Sequence, residues 1–219
     1  MRKEHAAQIE NAIQALKARG EVNEVYFVAC GGSQAVFMAG QYLFDRESNV
    51  PSHVYTANEF VYDTPKNLCE RSLVISYSHS GNTPETIAAT KLAREKGAMT
   101  IALSNLEGSE LWEAAEFPVH YDWGKDVSDS DKNKGILYGL LFNLLNVLAP
   151  NAKWDICLKE LEKLTELSEE TKAQYATQAK EWAKAQKRDP IIYTIGSGIN
   201  YGEVYSTAMC WFMEMQWIN

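Results

Sequence analysis

The chain has 219 residues, 46% of them apolar, and carries 21 Lys plus Arg against 29 Asp plus Glu for a formal charge of −8. That length and composition suit a folded α/β core with a further piece attached, not a disordered chain. The negative balance argues against nucleic acid or an anionic membrane as main partner, so an anion has to be held by local donors.

Residues 4–19 repeat apolar positions at helical spacing (Ala7, Ile9, Ile13, Leu16) and stop at Gly20, which predicts a first helix. Residues 25–29 are a short β-rich run ending in Cys30-Gly31-Gly32-Ser33, after which Ala35, Val36, Met38 and Ala39 return to a helical pattern. The same grammar recurs at 72–77, a buried strand followed by Ser78-His79-Ser80-Gly81-Asn82-Thr83 and a helix opened by Pro84 that runs to about Gly97. Further strands are expected at 53–56, 99–104 and 118–121. Strands alternating with helices imply an α/β fold with a five-stranded parallel sheet between two helical layers.

From 154 to 187 the sequence turns Glu/Lys/Ala-rich, with Leu158, Leu161, Leu164 and Leu167 at three-residue steps, the pattern of one or two bridging helices. Asp189-Pro190 punctuates, and residues 191–195, Gly196-Ser197-Gly198 and a helical run from about Gly202 restate the opening strand, turn and helix. The expected organisation is a first domain at 20–150, a helical linker at 151–188 and the beginning of a second α/β domain at 189–219. A fragment of a longer protein, or a partner-dependent chain, is the reading of that unfinished repeat. Cys30, Cys69, Cys157 and Cys210 lie far apart and the N-terminus is polar, which fits a reduced cytoplasmic protein. No apolar run approaches the ~20 residues of a membrane span.

A parallel sheet places ligands beyond the carboxyl ends of its strands, and both serine-bearing loops fall there. Backbone N–H groups at a helix start supply phosphate donors without a lysine, and Ser78, Ser80 and Thr83 add hydroxyls around Gly81. For either loop alone, plain turn formation and helix capping explain the residues as well. A Walker lysine and a G-x-G-x-x-G run are both missing, and His5, His53, His79 and His120 have no metal-ligand spacing. Glu214 is the one charge in the apolar run 209–218; burial there would lift its pKa and suit it to moving a proton at carbon, whereas a solvent-facing Glu214 would be unremarked. Glu59, near a strand end, suits loop capping as much as substrate contact. Trp211, Phe212, Trp217 and Ile218 need cover, from the first domain or from a second subunit.

The segments CGGS at 30–33, YTANEF at 55–60, SHSGNT at 78–83 and IYTIGSG at 192–198 resemble the sugar isomerase (SIS) domain family, and FMEMQWI at 212–218 is similar to its fructosamine 6-phosphate deglycases, the fructoselysine and fructose-asparagine types. That resemblance implies tandem SIS domains, a homodimer or larger homo-oligomer, no cofactor and no metal. It implies a deglycase that cleaves a phosphorylated sugar-amine, a 6-phosphofructosamine, to glucose 6-phosphate and an amine. An aldose-ketose or aminosugar-phosphate isomerase and a non-catalytic sugar-phosphate sensor are the rivals. By position, Ser33, Ser78, His79, Ser80 and Thr83 match the phosphate-binding residues and Glu214 the catalytic glutamate. Gly32, Glu59, Ser130 and Lys132 are further candidate substrate contacts. The catalytic histidine that the resemblance places in a later His-Gly-Pro segment has no counterpart in the 219 residues.

Overall fold

A computed structural model describes residues 1–218. The chain runs α1 (Lys3–Arg19), β1 (Glu24–Ala29), α2 (Gly31–Glu47), β2 (Ser52–Thr56), α3 (Ala57–Tyr62), β3 (Ser72–Tyr77), α4 (Pro84–Glu95), β4 (Met99–Ser104), α5 (Glu110–Ala114), β5 (Phe117–His120) and α6 (Asn133–Leu148). The strands form one parallel sheet in the order β2-β1-β3-β4-β5. β1, β3 and β4 are apolar nearly throughout because both sheet faces are covered. Their period-two alternation sends Phe27, Leu73, Ile75 and Ile101 into a core with α1, α2 and α6. Tyr26, Val28 and Val74 pack on α3 and α4 from the other side, and Ala102 meets Leu111 and Ala114 of α5. The five-stranded parallel sheet between two helical layers is therefore as expected. α1 lies outside the 20–150 span assigned to the first domain, yet Ile9, Ala12, Ile13 and Leu16 belong to that domain's core, so the unit starts at least at α1.

The strand order reverses direction at β1, whose two neighbours are β2 and β3. Ala29 stands opposite Thr56 on one side and Tyr77 on the other. The chain therefore leaves β1 and β3 side by side, with α2 and α4 departing to opposite faces, and a crevice opens between their first turns. α2 begins already at Gly31, so Gly32 and Ser33 lie in its first turn.

After α6 come α7 (Lys153–Glu160) and α8 (Leu164–Gln186). α8 buries none of its residues; Leu167, Tyr175 and Trp182 stand in solvent, and Thr165 anchors its start by accepting from the Asp129 N–H at 2.8 Å and pairing with the Ser128 hydroxyl at 2.8 Å. The strand expected at 191–195 does not form. Those residues have no regular structure, and Ile195 is 94% exposed, because a strand needs a partner and among the described residues none pairs with it. The helix expected from Gly202 does form, as α9 (Tyr201–Ser206) running into a π-helical segment (Thr207–Met215). α9 lies on α2; a Cβ on Gly202 would stand 2.5 Å from the Ala35 carbonyl oxygen, so only glycine allows the two helices this close. Of the 189–219 span assigned to a second domain, Asn219 lies outside the described residues.

Candidate functional site

The crevice at the β1/β3 switch is a cleft of about 540 Å³ with two walls. The sheet-side wall is made by Cys30, Gly32 and Ser33 of the β1–α2 junction, Tyr77 and His79 at the end of β3, and Asn133 and Lys134 at the start of α6; Ser206, Cys210, Trp211 and Glu214 of the C-terminal helix face them.

The loop after β3 is shaped by its own hydrogen bonds. Gly81 takes φ +68°, and its N–H donates to the Ser78 carbonyl at 3.1 Å. A Cβ there would lie 2.0 Å from the Ser109 hydroxyl oxygen, so glycine is required on both counts. The turn gathers three hydroxyls: Ser78 Oγ lies 2.8 Å from Thr83 Oγ1 and 3.5 Å from Ser80 Oγ. Thr83 occupies the N-cap position of α4 without capping it, its hydroxyl being turned to Ser78. The first turn of α4 thus keeps backbone N–H groups free of a side-chain cap, beside three hydroxyls and at the positive end of a 12-residue helix. Simple helix capping does not account for this arrangement, whereas an anion with several acceptor oxygens fits it.

His79 sits in the same loop but its side chain leaves the hydroxyl cluster. Its Nδ1 lies 2.8 Å from Tyr121 Oη, and its ring packs edge-on against Trp123. Tyr121 Oη donates to Tyr77 Oη at 3.2 Å, and Asn133 Nδ2 donates to the same oxygen at 2.9 Å. Burial pushes both tyrosines above their ordinary pKa, so the pair stays protonated and neutral.

The other candidates fall unevenly. Gly32 and Ser33 line the cleft. Glu214 reaches it from the opposite wall, but it is exposed, not buried as its apolar neighbours suggested, because Trp211, Met213 and Met215 around it are themselves exposed. Ser130 and Lys132 do not line the cleft: Ser130 is buried against Ser128 at 2.9 Å and the Met1 amino group at 3.4 Å, while Lys132 pairs with Asp129 at 2.6 Å. Two residues beyond Lys132, Lys134 does line the cleft and pairs with Glu203 of α9, tying the two walls together. Glu59 is the third residue of α3 and accepts from the Thr56 hydroxyl at 3.4 Å, away from the cleft and without capping the helix. Sequence spacing also missed a cluster at the end of β5: His5 Nε2 lies 3.0 Å from Asp122 Oδ2, with His120 beside them and the Arg2 guanidinium 3.0 Å from the same carboxylate oxygen.

The SIS domain family profile matches residues 6–130, more than half of the chain. The chain belongs to the SIS domain family. It is 44% identical to fructosamine deglycase FrlB of Bacillus subtilis (strain 168) over 97% of this chain and 65% of that protein. It is 26% identical to fructoselysine 6-phosphate deglycase of Escherichia coli (strain K12) over 97% of this chain and 62% of that protein. The chain therefore spans somewhat less than two thirds of these curated relatives. A Bacillus subtilis crystal structure described as a phosphosugar isomerase superposes on all of this SIS chain and 68% of its own, with a TM-score of 0.91 at 43% identity.

Proposed function

We propose that the full-length protein is a deglycase that cleaves 6-phosphofructosamines to glucose 6-phosphate and an amine or amino acid. The observation that carries this reading is the three-hydroxyl cradle at the uncapped start of α4, in the loop whose His79 lines a cleft with a carboxylate, Glu214, in its facing wall. The 44% identity to a protein named fructosamine deglycase supports the choice of reaction within the family. In this reading the backbone N–H groups of α4, the hydroxyls of Ser78, Ser80 and Thr83, the His79 segment and Ser33 hold the phosphate and so fix the open-chain sugar. Glu214 carries a proton between C2 and C1 to interconvert enaminol and imine, water then adds to the imine carbon, and the C–N bond breaks with its pair on nitrogen as C=O forms and the amine leaves. We further propose a cytoplasmic homo-oligomer whose second subunit covers Trp211 and Trp217.

Incubation of the full-length protein with fructoselysine 6-phosphate and related 6-phosphofructosamines should release glucose 6-phosphate and free amine together. Interconversion of sugar phosphates without free amine would instead establish an isomerase, which the same cradle serves equally well. Glu214→Gln should lower turnover by roughly 10²- to 10⁴-fold, the range of an acid-base group, while phosphosugar affinity stays close to normal. Near-normal turnover of that variant would remove Glu214 from the chemistry.

A further inference from the structure

The deglycase reading places the phosphate and the reacting carbons of the substrate and leaves the amine half without a seat. Building on that reading, we propose that Trp123 selects the amine half, and that the preferred substrates are 6-phosphofructosamines whose amine carries a large apolar or aromatic side chain.

The nitrogen to be released sits on C1, the carbon that Glu214 serves, so its substituent meets the surface around Glu214. On the C-terminal helix that surface is Trp211 and Met215, which line the cleft three residues before and one residue after the carboxylate and are both exposed. From the sheet side comes Trp123, in the loop after β5, 58% exposed and lining the same cleft. Its indole meets the His79 ring in a T-shaped contact with centroids 5.2 Å apart, so it stands one side chain away from the loop that carries the cradle. A substrate anchored at that loop therefore extends into a cleft that Trp123 borders.

Large apolar groups exposed inside a ligand cleft gain by being covered, each methylene taken out of water adding about fourfold to affinity. An aromatic ring on the amine half gains further from stacked or edge-to-face contact with the indole. A charged amine half finds no matching partner. Among the described residues that line the cleft, the lysine and the carboxylate are Lys134 and Glu214; Lys134 is already paired with Glu203, and Glu214 is needed for the proton on carbon. A remote ammonium or carboxylate would lose its water there without gaining an ion pair. Trp123 also lies outside the face of Trp211 and Trp217 proposed for subunit contact, so its variants leave that contact alone.

The test measures amine release by the full-length protein from the 6-phosphofructosamines of glycine, norleucine, phenylalanine and lysine, each joined through its α-nitrogen. Norleucine and lysine carry side chains of similar length and differ in the terminal charge. In wild type, kcat/KM for the norleucine and phenylalanine compounds should exceed that for the glycine and lysine compounds by about 10-fold or more. Trp123→Ala and Trp123→Gln should each lower the phenylalanine-to-glycine ratio by about 10-fold, and Trp123→Phe should keep it within about threefold of wild type. Glucose 6-phosphate binding identifies the variants that are folded with the cradle intact. Equal kcat/KM across the series in wild type, a preference for the glycine or lysine compound, or a ratio unchanged in both the alanine and the glutamine variant overturns the proposal and leaves the deglycase reading standing. A uniform loss across the series in those variants overturns it as well, since Trp123 would then only prop His79. A wild-type protein that binds glucose 6-phosphate but releases amine from none of the four compounds, nor from fructoselysine 6-phosphate, overturns the deglycase reading itself, and the proposal with it.

Discussion

Ser78 shows how one hydroxyl acquires two duties. It is the buried member of the cradle, its N–H tied to the Leu103 carbonyl at 3.1 Å and its Oγ to Thr83, so it sets the geometry that the more exposed Ser80 borrows. A hydrogen bond to a charged group is worth about 1.5–3 kcal/mol. Ser78→Ala should therefore raise KM for a phosphorylated substrate by about 10- to 100-fold with a smaller change in kcat, measured by steady-state kinetics; an unchanged KM would separate the cradle from phosphate. Residue by residue, the sequence exposed whatever is local. Ser78, Ser80, Gly81 and Thr83 were legible because strand, glycine turn and helix start are contiguous. Lys134 was not, since it meets the cleft only after α6 is in place, nor was Tyr121, which reaches His79 only once β5 is laid down. The candidates Ser130 and Lys132 stop short of Asn133 and Lys134, which line the cleft, because the 3₁₀ turn Asp129–Asp131 absorbs residues that a loop reading cannot count.

Among the elements, α1 was legible as a helix but not as part of the first domain's core, since nothing within residues 4–19 reveals what covers their apolar face. Its docking to β5 is held by His5 and Arg2 on Asp122 and by the Gln8 side chain, which accepts from the His120 N–H at 2.7 Å. Burial works to raise the Asp122 carboxyl, but the His5 hydrogen bond and the Arg2 charge outweigh it and hold the group below the usual carboxylate range. A depressed carboxylate stabilises the fold fully above its unfolded pKa, and that stability is lost as pH falls through the usual carboxylate range and below it. Asp122→Asn should therefore lower stability at pH 7 by about 1–3 kcal/mol and reduce the wild-type loss on acidification. Thermal melts from pH 7 downward check this; equal melting at neutral pH would show that the clamp contributes nothing. Residues 191–195 teach the converse lesson. Their composition is that of a strand, and composition cannot supply the neighbour on which a strand depends.

At the scale of the whole molecule the two halves are covered unequally. The sheet is enclosed on both faces, whereas the C-terminal helix leaves Trp211 at 61% and Trp217 at 89% exposure, with Met213 and Met215 between them. Cover from the first domain, one of the two expectations for this face, is ruled out for these side chains, and cover from a second subunit remains as the proposal. The chain on its own should associate in a concentration-dependent way, and Trp217→Glu should weaken that association; sedimentation velocity would measure both, and a monodisperse monomer at high concentration would contradict it.

The phosphate cradle is built from hydroxyls and backbone dipoles and sits in a chain of net charge −8. Dipolar attraction fades within a few ångströms, while repulsion between like net charges reaches about a Debye length, ~10 Å at 0.1 M salt. A doubly charged sugar phosphate thus approaches against the long-range field and is captured only at close quarters. Added salt should consequently speed its association, the reverse of what a lysine-lined phosphate site shows, and stopped-flow binding across ionic strength would reveal the sign.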